Sequence, residues 1–406
     1  MKDASKIFVY PTKALIAFVL YLQIGGVNAS SSSEFPKTIW EYEYGSTNRL
    51  ARVHTVSLSI NGSEIAVAGL SSDPGGTGKN PELFLLRVNQ SGKVISRLDL
   101  GEKVYGKEIP KIMNPFGRAI CCSVFLPDNK LVVVISGRGN TSKLIVVSPN
   151  GQMDSVVDLK STPAGATYFD VRVSKSQLTV FGQDSENLYV ETFRLDNWKN
   201  TSKALPKNKI VKYSDTGARS SGEIAVVGTV VALVAGEIKY LGSELVLLKS
   251  DYKKIYKKVV GNSKSGSVEY LSNGRLLLVH DTGDDYEQNI QIIQYRNDFK
   301  ILHKSNVRKQ RSFGRNETLI AVSENDQILL AGRSQAHRMW ITKMHSSGKV
   351  IWQAEEAASH KSRGVYDIFA YKDTAYVVFP VYNETSDKRI AYRFGIRKFI
   401  HSEKTK

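Results

Sequence analysis

The stretch Leu83 to Ile95 (LFLLRVNQSGKVI) returns near the other end of the chain as Met339 to Ile351 (MWITKMHSSGKVI). Ser-Gly-Lys-Val-Ile is identical in the two copies, and upstream Val67-Ala68-Gly69 matches Leu330-Ala331-Gly332. Each unit reads alike: an apolar strand ending in a small residue, a polar loop, an alternating strand, a tight turn with glycine or asparagine, and a final strand. Weaker copies lie between, at Leu144 to Val157, Leu188 to Leu195, Glu244 to Leu248 and Ile290 to Tyr295. Asn150-Gly151 in the first of them suits a two-residue hairpin turn. Final strands are expected to begin near residues 93, 152, 203, 254, 300 and 349. A repeat of about fifty residues is that of a four-stranded propeller blade.

The ends of the chain fix the count. The last unit, from Val365 through Val377-Val378-Phe379 to Arg389–Phe399, has three strands and lacks a fourth. Lys37-Thr38-Ile39-Trp40 resembles the fourth strand Lys349-Val350-Ile351-Trp352. Pairing Thr38–Tyr44 with Arg389–Phe399 would close a ring and remove an open sheet edge. The expected fold is therefore all-β: a seven-bladed β-propeller of four-stranded antiparallel blades, closed by an N-terminal strand. Arg87, Asn89 and Lys93 alternate with apolar neighbours, the pattern of a half-buried strand. Helical periodicity is nearly absent, and Ala354 to His360 is the best candidate for a helical turn.

On these units the chain resembles exported bacterial propellers with repeats of the form Leu-x-Lys-x-Asp-x-x-Gly-x-Ile-x-Trp, the quinoprotein-like and delta-60-like groups. The resemblance covers residues 37–400 and is carried by the units near 93 and 349 and by the strand at 37–40. It implies a fold, and fold does not imply function.

Residues 1–29 read as a secretory signal: Lys2, Lys6 and Lys13, an apolar run from Ala14 to Val27, then Val27-Asn28-Ala29 for cleavage. A serine-rich linker spans 30–36, the propeller 37–400, and a polar tail 401–406. The expected location is secreted or periplasmic. An uncleaved anchor is the lesser alternative, because the run is short for a membrane span, and no other stretch is long enough. The net charge is +17; losing three lysines and one aspartate with residues 1–29 leaves +15. Basic residues gather at Lys249, Lys253, Lys254, Lys257 and Lys258, and at Lys300, Lys304, Arg308, Lys309, Arg311 and Arg315. Such a field attracts polyanions: acidic glycans, an envelope polymer, anionic head groups or an acidic protein. Export and the lack of zinc-finger or RNA-binding signatures argue against nucleic acid.

Several motifs bear on chemistry. Cys121 and Cys122 are the only cysteines, adjacent, in the expected channel-lining strand of the second blade. In an oxidising compartment they can close an eight-membered vicinal disulfide ring; the plain alternative is two small apolar residues facing opposite sides of a sheet. The resemblance to quinoprotein dehydrogenases, some of which carry such a pair beside their quinone, implies only that this chemistry exists in related folds. Gly75-Gly76-Thr77-Gly78-Lys79-Asn80 fails as a phosphate loop, since Asp73 and Asn80 replace its first glycine and its Ser/Thr. Asp281, Asp284, Asp285 and Glu287 form a weak calcium candidate, without the spacing of an EF-hand loop. The histidines lack metal-ligand spacing, and the sequence names no cofactor. Asn-x-Ser/Thr triplets stand at Asn28, Asn61, Asn89, Asn140, Asn200, Asn316 and Asn383. Polar residues on expected channel strands, His54, Arg118, Asp170, Arg172, Glu269, Arg363 and Asp367, are the candidates for a binding site at the channel mouth. The reading is a non-catalytic binding or scaffold protein for an acidic glycan, envelope polymer or protein. The alternative is an exported enzyme, a sugar hydrolase or lyase or a quinoprotein-like oxidoreductase, with its site at the channel mouth.

Overall fold

A computed structural model describes residues 35–45, 49–73, 82–100, 120–136, 142–159, 166–174, 176–206, 211–218, 223–234, 237–249, 251, 254–260, 266–283, 288–295, 300–310, 319–334, 338–356, 364–382 and 391–401. The elements are strands, β1 to β28, in seven four-stranded antiparallel sheets. Blade 1 is β2 (Leu50–Leu58), β3 (Glu64–Ser72), β4 (Glu82–Asn89) and β5 (Val94–Asp99). Blade 2 is β6 (Ile120–Phe125), β7 (Leu131–Ile135), β8 (Lys143–Val147) and β9 (Met153–Asp158). Blade 3 is β10 (Thr167–Ser174), β11 (Gln177–Gln183), β12 (Asn187–Arg194) and β13 (Asn200–Pro206). Blade 4 is β14 (Val211–Ala218), β15 (Ile224–Val234), β16 (Glu237–Leu248) and β17 (Lys254–Val260). Blade 5 is β18 (Gly266–Tyr270), β19 (Leu276–Gly283), β20 (Gln288–Tyr295) and β21 (Ile301–Gln310). Blade 6 is β22 (Leu319–Val322), β23 (Ile328–Arg333), β24 (Met339–Met344) and β25 (Val350–Glu355). Blade 7 joins β26 (Asp367–Tyr371), β27 (Thr374–Tyr382) and β28 (Ala391–Ile400) to β1 (Thr38–Gly45). The closure is as expected: β1 runs antiparallel to β28, from Thr38 opposite Phe399 to Gly45 opposite Arg393. Two details differ from the sequence reading. The fourth strand of blade 3 begins at Asn200 rather than near 203, and Ala354 and Glu355 finish a strand instead of starting a helical turn. Ala354 is held in the sheet by its pairing opposite Ile341, and residues 357–360 of the expected turn lie outside the described residues.

There is no single core. Seven apolar clusters fill the seven junctions between adjacent blades, one cluster per junction. This explains the continuous apolar middle strands. In β7, Leu131, Val133 and Ile135 pack toward blade 1, while Val132 and Val134 pack toward blade 3. A strand buried on both faces needs no polar alternation. The first strands of successive blades neighbour one another around the ring and so line its axis.

The two sides of the disc differ. Strands one and two, and strands three and four, connect on one side of the disc, and the described connections there are tight turns; this side is the short-turn rim. In blade 1 these are the Ser59–Glu64 and Asn89–Lys93 turns, with Asn61 and Asn89 each accepting the following Ser63 or Ser91 N–H. Gly92 in the second turn has a φ of +83°, and a Cβ there would sit 2.3 Å from the Tyr42 ring of blade 7. This turn is thus glycine for two reasons, conformation and closeness. The other connections leave from the opposite rim.

One register position ties blade to blade. Arg87, Gln294, Lys343 and Lys398 occupy it in the third strands of blades 1, 5, 6 and 7, opposite Ala66, Leu277, Leu329 and Tyr376. Each donates to a backbone carbonyl at the end of the third strand, or in the following turn, of the next blade. Arg87 donates to Ser148, Gln294 Nε2 to Ser346 (2.5 Å), Lys343 Nζ to His401 (2.6 Å) and Lys398 Nζ to Gln90 (3.5 Å). Alternation alone had placed Arg87 on a half-open face. It is instead fully buried, pairing with Glu64 and lying over the Phe125 ring at 5.6 Å. His401, assigned to the tail, is likewise buried against the ring.

Candidate functional site

The channel wall is built from the first strands, and four of them share a device. β2, β6, β10 and β14 each carry a bulge at the same point, where His54, Cys121, Phe169 and Ser214 are the extra residues. In three of these blades a glycine faces the bulge: Gly69, Gly182 and Gly228. A Cβ on Gly69 would lie 2.1 Å from the Arg52 carbonyl oxygen, so the kinked backbone claims that space. The residue just past the bulge is Thr55, Cys122, Asp170 or Asp215. The same register position holds Ser267 in blade 5 and Asp367 in blade 7.

Asp170, Arg172, Asp215, Glu269 and Asp367 are brought into one electrostatic group by this register. Arg172 is its centre. Its Nε donates to Asp170 Oδ2 at 3.2 Å and Thr216 Oγ1 at 3.1 Å, and its Nη2 donates to Asp215 Oδ1 at 3.4 Å and to the Thr216 carbonyl. Glu269 completes the set, 3.7 Å from Nη1. The carboxylates also link blades. Asp170 Oδ2 accepts from Thr216 N–H (3.0 Å) and Oγ1 (2.6 Å), and Asp215 Oδ2 accepts from Ser267 Oγ (2.6 Å) and Val268 N–H (2.9 Å). Asp367 accepts only from the N–H of its neighbour Ile368, at 2.8 Å, among the described contacts. The side chains of Asp170, Arg172, Asp215 and Glu269 keep 16% to 30% of their surface, as expected for groups deep in the ring that still face a channel.

Charge is unevenly met. Burial works against the Arg172 guanidinium, but Asp170, Glu269 and Asp215 outweigh it and hold its pKa above the ordinary value. Burial pushes Asp215 up to about 7, with Asp170 adding to it and Arg172 opposing. Burial also pushes Asp367 up to about 7, with Asp215 and Asp170 adding and the Ile368 N–H and Arg172 opposing. Both acids bind their proton more tightly folded than unfolded. Their contribution to stability is therefore complete below the ordinary carboxylate range, near pH ~4, and is lost as pH rises through ~7. Asp367→Asn keeps the acceptor for Ile368 and removes the charge. It is expected to raise the melting temperature near pH ~8 and leave it unchanged near pH ~4. A variant with the same rise at both values would refute the titration.

The other sequence candidates fall elsewhere. His54 lies at the junction of blades 1 and 2, its Nδ1 accepting from the Ile120 N–H at 3.4 Å, apart from the Arg172 group. Arg118, Arg363, Asp284, Asp285 and Glu287 lie outside the described residues, as do Gly75–Asn80 and residues 1–34, while Asp281 falls in β19. Cys121 and Cys122 are joined as a vicinal disulfide. They are buried in the cluster between blades 2 and 3, beside Val171 and Leu178, so the pair serves as apolar filling where the channel wall bulges. Among the described residues no group of His, Cys, Asp and Glu could hold a metal ion. Asp215, Thr216 and Ser267 escaped the sequence reading, yet a signal existed: Tyr168-Phe169-Asp170 and Tyr213-Ser214-Asp215 repeat Tyr-x-Asp at the bulge.

No family model and no curated protein matches the chain. Solved structures do. The Dos1 propeller is similar over 89% of this chain and 95% of its own, at 9% identity and a TM-score of 0.53. The extracellular domain of a hybrid two-component system from B. thetaiotaomicron is similar over 91% of this chain and 42% of that one, at 12% identity and a TM-score of 0.51. The chain is a seven-bladed β-propeller. At such identities the likeness speaks to the fold alone.

Proposed function

We propose that the propeller is an exported recognition protein that binds an acidic glycan, envelope polymer or acidic protein and performs no reaction of its own. One observation carries this reading. In the channel group, three carboxylates face one guanidinium and a fourth, Asp367, feels its charge, so the excess of positive charge behind the +17 total lies elsewhere on the molecule. An acidic partner is repelled by the channel wall and drawn to the outside, where Lys249, Lys300 and Lys304 are exposed. Export is supported by the leader-like residues 1–29 and by the Cys121–Cys122 bond, which suits an oxidising compartment. The chain from Ser30 onward should bind an immobilised polyuronate at low salt and release it as salt rises. Binding indifferent to salt would sink the electrostatic reading. The enzyme reading draws on a single feature, Asp367, a carboxyl that changes protonation near neutrality with one hydrogen bond to its own strand.

A further inference from the structure

The short-turn rim combines two kinds of exposed side chain. Lys93, Lys199, Arg275 and Lys349 project from its turns and make no ion pair among the described residues. The first, second and fourth stand at the same point of three turns, where the carbonyl closing the turn accepts from Asn89, Arg194 and His345. The rim's carboxylates are largely engaged: Asp128 and Asp154 with Lys130, Asp196 with Arg194, Asp326 with Ser272; Glu324 and Asp373 dilute the charge.

The aliphatic residues follow the same map. Ile39, Ile60, Val94, Ile95, Ile301 and Leu302 are 42% to 61% exposed, and they make up most of the large exposed hydrophobic residues in the described chain. All six belong to this rim. Ile60 is in a turn, and the others sit within the first two residues of β1, β5 and β21, the strands that begin there. Lys93-Val94-Ile95 and Lys300-Ile301-Leu302 thus set a cation beside two aliphatic side chains at matching places in two blades. Phe35–Lys37 enter the ring at this side too, with the Lys37 carbonyl accepting from Ile400 N–H.

We infer that the short-turn rim docks on an anionic lipid bilayer. A soluble polyanion uses the cations but gains nothing from exposed isoleucine and leucine. A bilayer interface rewards both: lysine and arginine near anionic head groups, and aliphatic side chains sunk beneath them. The described turns face one side of the disc, so they can meet a plane together, which a narrow chain cannot.

The chain from Ser30 keeps every described residue of the ring and removes the apolar leader as a confounding anchor. It should sediment with phosphatidylglycerol–phosphatidylcholine vesicles and stay in solution with phosphatidylcholine alone. The quadruple substitution Val94→Ser, Ile95→Ser, Ile301→Ser, Leu302→Ser should weaken vesicle binding about tenfold or more, since each lost aliphatic group is worth a sizeable part of a decade. Its melting temperature should hold, because these side chains contribute little to the core. Lys93→Glu with Lys349→Glu should weaken vesicle binding by a similar factor and provides a second route if the serine variant folds poorly. Dextran sulfate serves as the soluble probe: the serine variant should bind it as the parent does. Failure to sediment with anionic vesicles, or full binding by the serine variant, overturns the bilayer inference and leaves the acidic-partner reading standing. Loss of dextran sulfate binding by the parent overturns that reading instead.

Discussion

A chain that begins at residue 49, without β1, is expected to lose about 5 kcal/mol of stability or more, much of what a domain of ordinary stability has. The loss has three sources. β28 would expose its outer edge along the register from Arg393 to Phe399. Trp40 and Tyr44 would leave the blade 7–blade 1 cluster, where Tyr44 stacks on Phe394 at 5.6 Å and Trp40 lies 6.2 Å from Tyr376. The Trp40 Nε1 and Tyr44 hydroxyl would no longer hold the Gln90 and Gly92 carbonyls of blade 1, each at 2.7 Å. Urea unfolding followed by tryptophan fluorescence and circular dichroism should show an earlier, broader transition, and the open edge should promote self-association. A peptide spanning residues 35–45, added in trans, should restore part of the loss. A truncated chain that unfolds at the parent's midpoint would remove the ring-closing role of β1.

Arg87→Ala should be the most damaging single substitution in blade 1, at about 3 kcal/mol. The guanidinium is fully buried and bonded to Glu64 and to the Ser148 carbonyl of the next blade. Removing it strands a mostly buried carboxylate (16% exposed) and a carbonyl whose donor is gone. The test is a pair of variants. Arg87→Met with Glu64→Leu should recover most of the loss, because the unpaired charge, rather than the missing bond, is the larger cost. A single variant that loses less than about 1 kcal/mol in urea unfolding would show that water reaches Glu64 and the latch matters little.

The ring was legible because repetition needs no knowledge of contacts. Ser-Gly-Lys-Val-Ile at two places and Lys-x-Ile-Trp at residues 37–40 gave the blade count and the closing pair. What alternation could not give was which polar residue faces inward. Arg87 and Lys93 read alike along the strand, yet one is sealed between blades and the other is open. The difference lies in a carbonyl of the following blade, about sixty residues downstream, which no local pattern contains. The channel group shows the same limit. Asp170 and Arg172 are two apart on one strand face, and they were offered with Glu269 and Asp367, but also with His54, as one candidate group. Their meeting with Asp215, Glu269 and Asp367 depends on blade order around the axis, and that order separates His54 from them. Cys121 and Cys122 left two readings open from sequence; in the structure their sulphurs are bonded, and the bulge at Cys121 sets both residues in one cluster.

The side-chain-to-turn latch has a consequence for ancestry. Donor and acceptor sit in different blades, always in the same direction, and blades 1, 6 and 7 carry both halves. A duplicated blade of that kind arrives with a hand for its successor and a grip for its predecessor, so a ring can gain or lose a member without any joint being redrawn. The Ser-Gly-Lys-Val-Ile shared by the segments ending at Ile95 and Ile351, in blades 1 and 6, is what growth by copying would leave behind.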